Sequence, residues 1–525
     1  MPHSLFWIAF LTAVATVAVE GGKILVYSPS ISYSHLISNG RIADALVKAG
    51  HDVVMFIPEY LSSASNFDGT KLAKVIRMNN ISSRYEDELL GSEEYLMRHA
   101  TLSFGDRLAF EYCLTDICRL LMARHDELEP LRNYGFDAAF AEQIDLCGIG
   151  VIRYLGIKNL LWISTTPIMD AVSYNLGIPA PPSYVPTIEE NDNGDTMNFW
   201  QRAYNIYMYI GAVLIHRKGT DMTTEVFRRL DPTFPNVREI AANASLCFVN
   251  ADEMFDLPRP IIHKTIYIGG LGMSAAKPLD EKFSALMKKG NKGVIIVSLG
   301  TIAPFHAFTD ATKTAFASVF RSMPDYHFIL KITKDDTTTH AFVKGVDNCD
   351  LVEWLPQSDI LAHPRLRLFV MHGGINGLME ALLRAVPVVV IPIFADQFRN
   401  GRNVEKRGVG KVVLKGDLNE ESIRSAMEEV LFHDSYKQNA IRLSKLMSEK
   451  PFSAEERLIR WTNFAVENGV LDVLHVEGSR LNFIVYFNLD VIAVAILVSC
   501  LAVFMIFKLF AIFCCRGRDA KLKVH

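Results

Sequence analysis

Two apolar runs, 368–371 and 388–391, are short, rich in β-branched residues and bounded by turn formers. That is the pattern of parallel strands buried on both faces. Between them, residues 375–384 carry the helix formers Leu378, Met379, Glu380, Ala381, Leu382 and Leu383, then meet Pro387, which cannot continue a helix. The pattern predicts a strand, a His-Gly-Gly turn, a helix and a second strand. The same alternation opens the chain: a strand over 23–27, a loop over 28–34, a helix over 36–49 closed by Gly50, and a strand over 53–57. Further strands are predicted at 137–141, 265–268 and 293–298, with helices through 411–468. A Pro-rich loop fills 175–186. Residues 197–215, crowded with Trp200, Tyr204, Tyr207, Met208 and Tyr209, read as a helix apolar over most of its circumference. Lining a pocket, touching a bilayer and packing in a core all remain open to it.

The apolar runs at the two ends are of another kind. Residues 5–19 are apolar and too short to span a bilayer comfortably. With Ala13, Ala15 and Ala18 before Glu20, they predict a secretory signal over 1–20. Residues 490–513 are apolar apart from Asp490 and Lys508 and predict a transmembrane helix after a juxtamembrane stretch, 471–489. Arg516, Arg518, Lys521 and Lys523 follow in the tail, 514–525, which places the tail in the cytoplasm and the bulk of the chain in the lumen. In that topology Asn80-Ile-Ser82 and Asn243-Ala-Ser245 are usable glycosylation acceptors. Cys514 and Cys515 are candidate palmitoylation sites, although juxtamembrane cysteines are common without it. Five luminal cysteines (Cys113, Cys118, Cys147, Cys247 and Cys349) are too few for a disulfide framework but compatible with one bridge.

A chain of 525 residues exceeds one core and implies two domains. The net charge of −4 offers no basic excess for nucleic acid. No zinc-like cluster of His, Cys and acidic residues occurs, and no Asp-x-Asp pair, so no metal or cofactor is expected. Gly270-Leu-Gly272 imitates a dinucleotide fingerprint, but Pro278 breaks the helix it needs and no acid follows at the required distance. Residues 276–292 are therefore expected to link an N-terminal domain, 21–275, to a C-terminal domain, 293–470.

The central stretch carries a series of spaced residues: Trp354 and Gln357, then His372, Gly374, Gly377 and Glu380, then Asp396 and Gln397. Trp354 offers a flat face for stacking a base, with Gln357 one helical turn on. Glu380 can accept hydrogen bonds from vicinal hydroxyls. His372, Asn376 and Gly377 lie at a helix start, where amides and side chains can hold an anion. Asp396 and Gln397 follow the carboxyl end of the next strand, where open α/β sheets bind ligands. Together these residues resemble the signature of the UDP-glycosyltransferases, specifically the membrane-bound UDP-glucuronosyltransferase branch. The resemblance implies two Rossmann-like α/β domains facing across a cleft (the GT-B type). It assigns uracil to Trp354, ribose to Glu380, pyrophosphate to the His372–Gly377 turn, and the sugar to Asp396 and Gln397. Thr301, in Leu299-Gly300-Thr301, resembles the family's phosphate-contacting loop.

The same resemblance places a general base at His35, in the Ser34-His35 pair, and a carboxylate partner at Glu142, where the family commonly has Asp. It implies transfer of glucuronate or glucose from a UDP-sugar to a hydroxyl of a small lipophilic acceptor, with inversion. The competing reading is a non-catalytic UDP-sugar-binding membrane subunit, which would not need Ser34-His35 and Glu142. An esterase using the His-Gly-Gly turn would need a Gly-x-Ser-x-Gly elbow, and none is present. The last five residues, Lys-Leu-Lys-Val-His, resemble the retrieval signal of endoplasmic reticulum proteins, so a single-pass type I protein of that membrane is expected. Assembly as a homo-oligomer is left open.

Overall fold

The computed structural model describes residues 21–522 except 274, 301–303 and 335, and for 513–522 only the backbone. The expected signal segment, Thr301, and the side chains of Cys514, Cys515, Lys521 and Lys523 lie outside what is described. The chain up to His475 forms one compact unit and the remainder, from Val476, a second.

The first unit contains two wholly parallel sheets. Strands β1 (Lys23–Tyr27), β2 (Asp52–Pro58), β3 (Lys74–Met78), β4 (Ala138–Glu142), β5 (Leu160–Ser164), β6 (Leu246–Val249) and β7 (Thr265–Tyr267) form one. Their order is β3-β2-β1-β4-β5-β6-β7. Strands β8 (Gly293–Ser298), β9 (Tyr326–Lys331), β10 (Cys349–Val352), β11 (Leu366–Met371), β12 (Val388–Val390) and β13 (Gly410–Val412) form the other, in the order β10-β9-β8-β11-β12-β13. Each sheet reverses direction of winding between its first strand and its fourth, β1 beside β4 and β8 beside β11. Those two seams are the places where a doubly wound sheet opens a crevice at its carboxyl edge. The central strands are fully buried, as their unbroken Val, Ile and Leu runs require.

The helices that matter for the site are α1 (Tyr33–Lys48), α2 (Phe199–Arg228), α3 (Ile375–Leu383), α4 (Gln397–Lys406), α5 (Ala454–Asn468) and α6 (Leu489–Leu522). Helix α1 starts where Ser32 accepts a hydrogen bond from the His35 amide at 3.2 Å. Helix α5 returns to the first sheet, where Asn159 Nδ2 donates to the Ala465 carbonyl at 2.7 Å and buries Ala465 and Leu458.

Three details differ from expectation. The linker 276–292 contains a short helix, Glu281–Leu286, because Phe283 and Leu286 bury themselves. Strand β13 lies within a stretch expected to be helical; three residues paired to β12 are too few for a pattern to show. Helix α2 runs for 30 residues, and it is not a plain core helix. Trp200 is 77% exposed and Phe199, Tyr207 and Leu214 are exposed with it, while its buried face carries the polar Asn205 and His216.

In the second unit, the stretch Leu489–Ile512 of α6 has a mean hydropathy of 2.8 over its most apolar window. Its 24 residues suffice for a hydrocarbon core of ~30 Å, and the helix fits a single-pass membrane anchor.

Candidate active site

His35 lies at the strand-to-helix junction as expected, in the first turn of α1, which follows β1 and so stands beside the β1–β4 seam. Glu142 is the last residue of β4. The two side chains meet: His35 Nδ1 stands 2.6 Å from Glu142 Oε2. The carboxylate is fully buried, while the imidazole keeps 17% of its side-chain surface. Burial works against the charged ring, but the charge and hydrogen bond of Glu142, with the charge of Asp396, outweigh it and raise the His35 pKa above its ordinary value. Glu142 occupies Nδ1, so the proton sits there and Nε2 is left with a lone pair. Glu142 Oε1 has no protein partner among the described residues.

The second sheet supplies the opposite wall. After β11 the chain passes through His372, Gly373 and Gly374 into α3. Gly373 adopts φ +91°, which only glycine takes without strain. A Cβ on Gly374 would sit 2.5 Å from His372 Nε2, and one on Gly300 2.8 Å from His372 Cε1, so both glycines make room for the ring. Burial and the charge of Lys331 push the His372 pKa down to about 4, so the ring is neutral at pH 7 and acts as a hydrogen-bonding group rather than a cation.

Trp354 sits on the loop after β10 and is 74% exposed. It precedes the short helix Gln357–Leu361, so it and Gln357 do not share a helical face as expected. Gln357 instead reaches α3, its Nε2 donating to Glu380 Oε2 at 2.9 Å. At Gly377 a Cβ would press on the end of the Met371 side chain at 3.0 Å while meeting Gln357 Nε2 at an ordinary contact distance, 3.5 Å. Asp396 immediately precedes α4 without making a side-chain capping bond, and it accepts from Asn400 Nδ2 at 2.7 Å. Burial raises its pKa to about 6, against the opposing pull of Asn400 and of His35. Gln397 is buried, its Oε1 accepting from the Ile393 and Phe394 amides at 2.8 and 3.3 Å. Asn80 and Asn243 are exposed.

Three residues of the first domain were not singled out from the pattern. Ser38 Oγ and Asn250 Nδ2 both reach Asn376 Oδ1, at 3.3 and 2.8 Å, and Arg41 Nη2 donates to Glu380 Oε1 at 3.0 Å. The Asn376 side chain is thus engaged with the opposite domain, leaving its backbone amide at the helix start. Among the described residues no group of three or more His, Cys, Asp or Glu is placed to hold a metal ion.

Two parallel sheets, a His–carboxylate pair at the seam of one and a glycine turn leading into the helix that carries Glu380 on the other, define a two-domain nucleotide-sugar transferase. The family profile of UDP-glucoronosyl and UDP-glucosyl transferases matches residues 22–524, and the chain belongs to that family. It is 39% identical over 511 residues to a Caenorhabditis elegans protein named as a UDP-glucuronosyltransferase, ugt-50, covering 96% of this chain and 98% of that one. Identity to mouse UDP-glucuronosyltransferase 1A7 is 26% over 521 residues, covering 97% and 95%. Among solved structures, the glycotransferase of kitacinnamycin superposes with a TM-score of 0.58 at 16% identity, over 86% of this chain and 99% of that one. LpCGTa in complex with UDP gives 0.55 at 16%, over 85% and 99%. The structural likeness establishes the GT-B fold.

Proposed function

We propose that this UDP-glycosyltransferase moves glucuronate or glucose from its UDP conjugate to a hydroxyl of a small lipophilic acceptor, inverting the anomeric carbon. His35 Nε2 takes the hydroxyl proton as the oxygen attacks. The bond from the anomeric carbon to the β-phosphate oxygen breaks, and its electron pair leaves with UDP. Glu142 stabilises the imidazolium that forms, in the manner of the carboxylate of a Ser-His-Asp triad. Amides at the start of α3 face the departing diphosphate, with the neutral His372 beside them. Asp396 and Gln397 receive the sugar hydroxyls, and Trp354 stacks on the uracil. The proposed acceptor and donor assignments need no cofactor.

The observation that carries this reading is the 2.6 Å contact between His35 and Glu142. It sets a base of raised pKa above one seam and within electrostatic reach of Asp396 beside the other. The apolar α6 and the basic tail support placement as a single-pass type I protein of the endoplasmic reticulum membrane, with glycans on Asn80 and Asn243. Membranes carrying the protein, assayed with a panel of UDP-sugars and lipophilic phenols, should release UDP and form a glycoside. His35→Ala should lower that rate ~10²–10⁴-fold while UDP still binds. Turnover of no UDP-sugar by the intact protein, or an undiminished rate in the variant, would refute the reading.

A further inference from the structure

The turn that presents Asp396 is held from the opposite domain. Glu190, in a loop of the N-terminal half, is buried, and its Oε1 accepts the Ala395 amide at 2.5 Å. Its own amide donates back to the Ala395 carbonyl at 3.3 Å, closing a reciprocal pair. Its second oxygen, Oε2, accepts from the Leu102 amide at 3.0 Å. Both partners are in the left-handed region, Glu190 at φ +56° and Ala395 at φ +55°, where side-chain-bearing residues are rare. Such strain persists only where the surroundings over-determine the backbone, and it gathers at functional sites.

The flanking loop explains what over-determines it. Arg399, Arg402 and Lys406 lie at i, i+3 and i+7, on one face of α4. The loop meets them in register: the Pro186 carbonyl accepts from Arg399 at 3.5 Å, Asp192 pairs with Arg402 at 2.8 Å, and Asp195 pairs with Lys406. An acidic strap, 186–195, therefore clasps the basic face of the helix that Asp396 begins, and Glu190 stands at the point where strap and turn touch.

We infer that Glu190 is a positioning residue for the sugar half of the donor: it fixes the 394–396 turn so that Asp396 projects at the correct height beside the β11–β12 edge. The inference rests on the proposed assignment of Asp396 to the sugar. Trp354, Gln357 and Glu380, assigned to the base and ribose, have no contact with Glu190 among those described, and the diphosphate turn is reached only at one remove, through Asn400, which donates to both Asp396 and the Gly373 carbonyl. The residue should therefore act on the sugar far more than on UDP.

The full chain in detergent is titrated with UDP, UDP-glucose and UDP-glucuronate, and KM and kcat are measured for whichever sugar is turned over. Glu190→Ala should weaken the UDP-sugar about ten-fold, the worth of a hydrogen bond to a charged group, with affinity for UDP alone changed less than about two-fold. Glu190→Gln keeps an acceptor oxygen for Ala395 and should recover part of the loss; it also serves if the alanine variant fails to fold. Equal losses for UDP and UDP-sugar, or no loss for either, would overturn the inference. Asp396→Asn separates the two levels. If it loses UDP-sugar affinity while Glu190→Ala and Glu190→Gln do not, the positioning role falls and the sugar assignment stands. If Asp396→Asn binds the UDP-sugar like the parent, the sugar assignment itself falls.

Discussion

Arg41 Nη2 donates to Glu380 Oε1 across the cleft at 3.0 Å, while Gln357 holds the other oxygen of the same carboxylate. Ser38 and Arg41 share a face of α1, and Asn376 and Glu380 are one turn apart on α3, so the two helices meet as matched rows. An ionised carboxylate offers about four lone-pair sites. Two are used here, which under the proposed assignment leaves two for the vicinal hydroxyls of the ribose. On that assignment Arg41 orients Glu380 without displacing the nucleotide. Arg41→Ala should weaken UDP binding about three- to ten-fold, because the carboxylate loses a charged partner worth about 1 kcal/mol in a part-exposed setting. Calorimetry with UDP alone reads this; tighter binding in the variant would make Arg41 a competitor for the site instead.

The His35–Glu142 pair makes a sharper claim. Glu142→Gln should cost nearly as much as losing the base, since a neutral amide cannot stabilise the imidazolium. Glu142→Asp should keep substantial activity. The double variant His35→Ala/Glu142→Gln should be little worse than His35→Ala, because residues acting as one unit are non-additive. Multiplicative losses would assign Glu142 a separate task.

The pH profile follows from the same contact. His35 must be neutral to accept a proton, so kcat/KM should rise with pH through its raised pKa and level off above it. Removing the charge at 142 leaves burial to dominate, and burial lowers the pKa of a histidine. In Glu142→Gln the acid limb should therefore move to lower pH even as the plateau falls. A limb that stays in place would mean that another group titrates there.

Trp354 is exposed enough for its two possible roles to be separated by experiment. Trp354→Ala should weaken UDP by about 1–3 kcal/mol, the worth of a base stacked on an aromatic ring. Its melting temperature should stay close to that of the parent, whereas truncating a core tryptophan costs about 3–5 kcal/mol.

Much of this site was legible because its parts are local. Strand, turn and helix at 366–383 leave a periodic trace, and the motif residues fall within that stretch or close to it. His35 and Glu142 lie 107 positions apart, and only the resemblance joined them; periodicity placed each at a strand end and no more. Arg41, Ser38 and Glu190 carried no signal of their own. Each faces a partner more than two hundred positions away, and such pairings are decided by how two domains dock. Strand β13 escaped for a different reason: three residues do not complete a period.

Helix α2 buries the polar Asn205 and His216 beside Met208, Ala212 and Phe227 while Phe199, Trp200 and Tyr207 stay exposed, and this can be tested by stability. Asn205 is fully buried and makes four hydrogen bonds to the preceding loop. Its Oδ1 accepts from the Thr187 amide at 2.8 Å and from Asn191 at 2.9 Å. Its Nδ2 donates to the Pro182 and Val185 carbonyls, both at 2.9 Å. Asn205→Leu conserves much of the volume and raises hydrophobicity, so a helix that simply packed apolar residues inward would tolerate it. Here it strands the Thr187 amide, one N–H of Asn191 and two carbonyls, at about 1–3 kcal/mol for each buried group left unpaired. We expect a loss of about 3 kcal/mol or more and a melting temperature several degrees lower. Trp200→Ser, on the opposite face, should stay within about 0.5 kcal/mol of the parent in the same detergent. The loop that Asn205 pins runs directly into the strap carrying Glu190. Asn205→Leu should therefore also raise KM for the UDP-sugar, and Trp200→Ser should not. A stable Asn205→Leu protein, or an unstable Trp200→Ser, would show that the face of α2 turned to the core is the aromatic one.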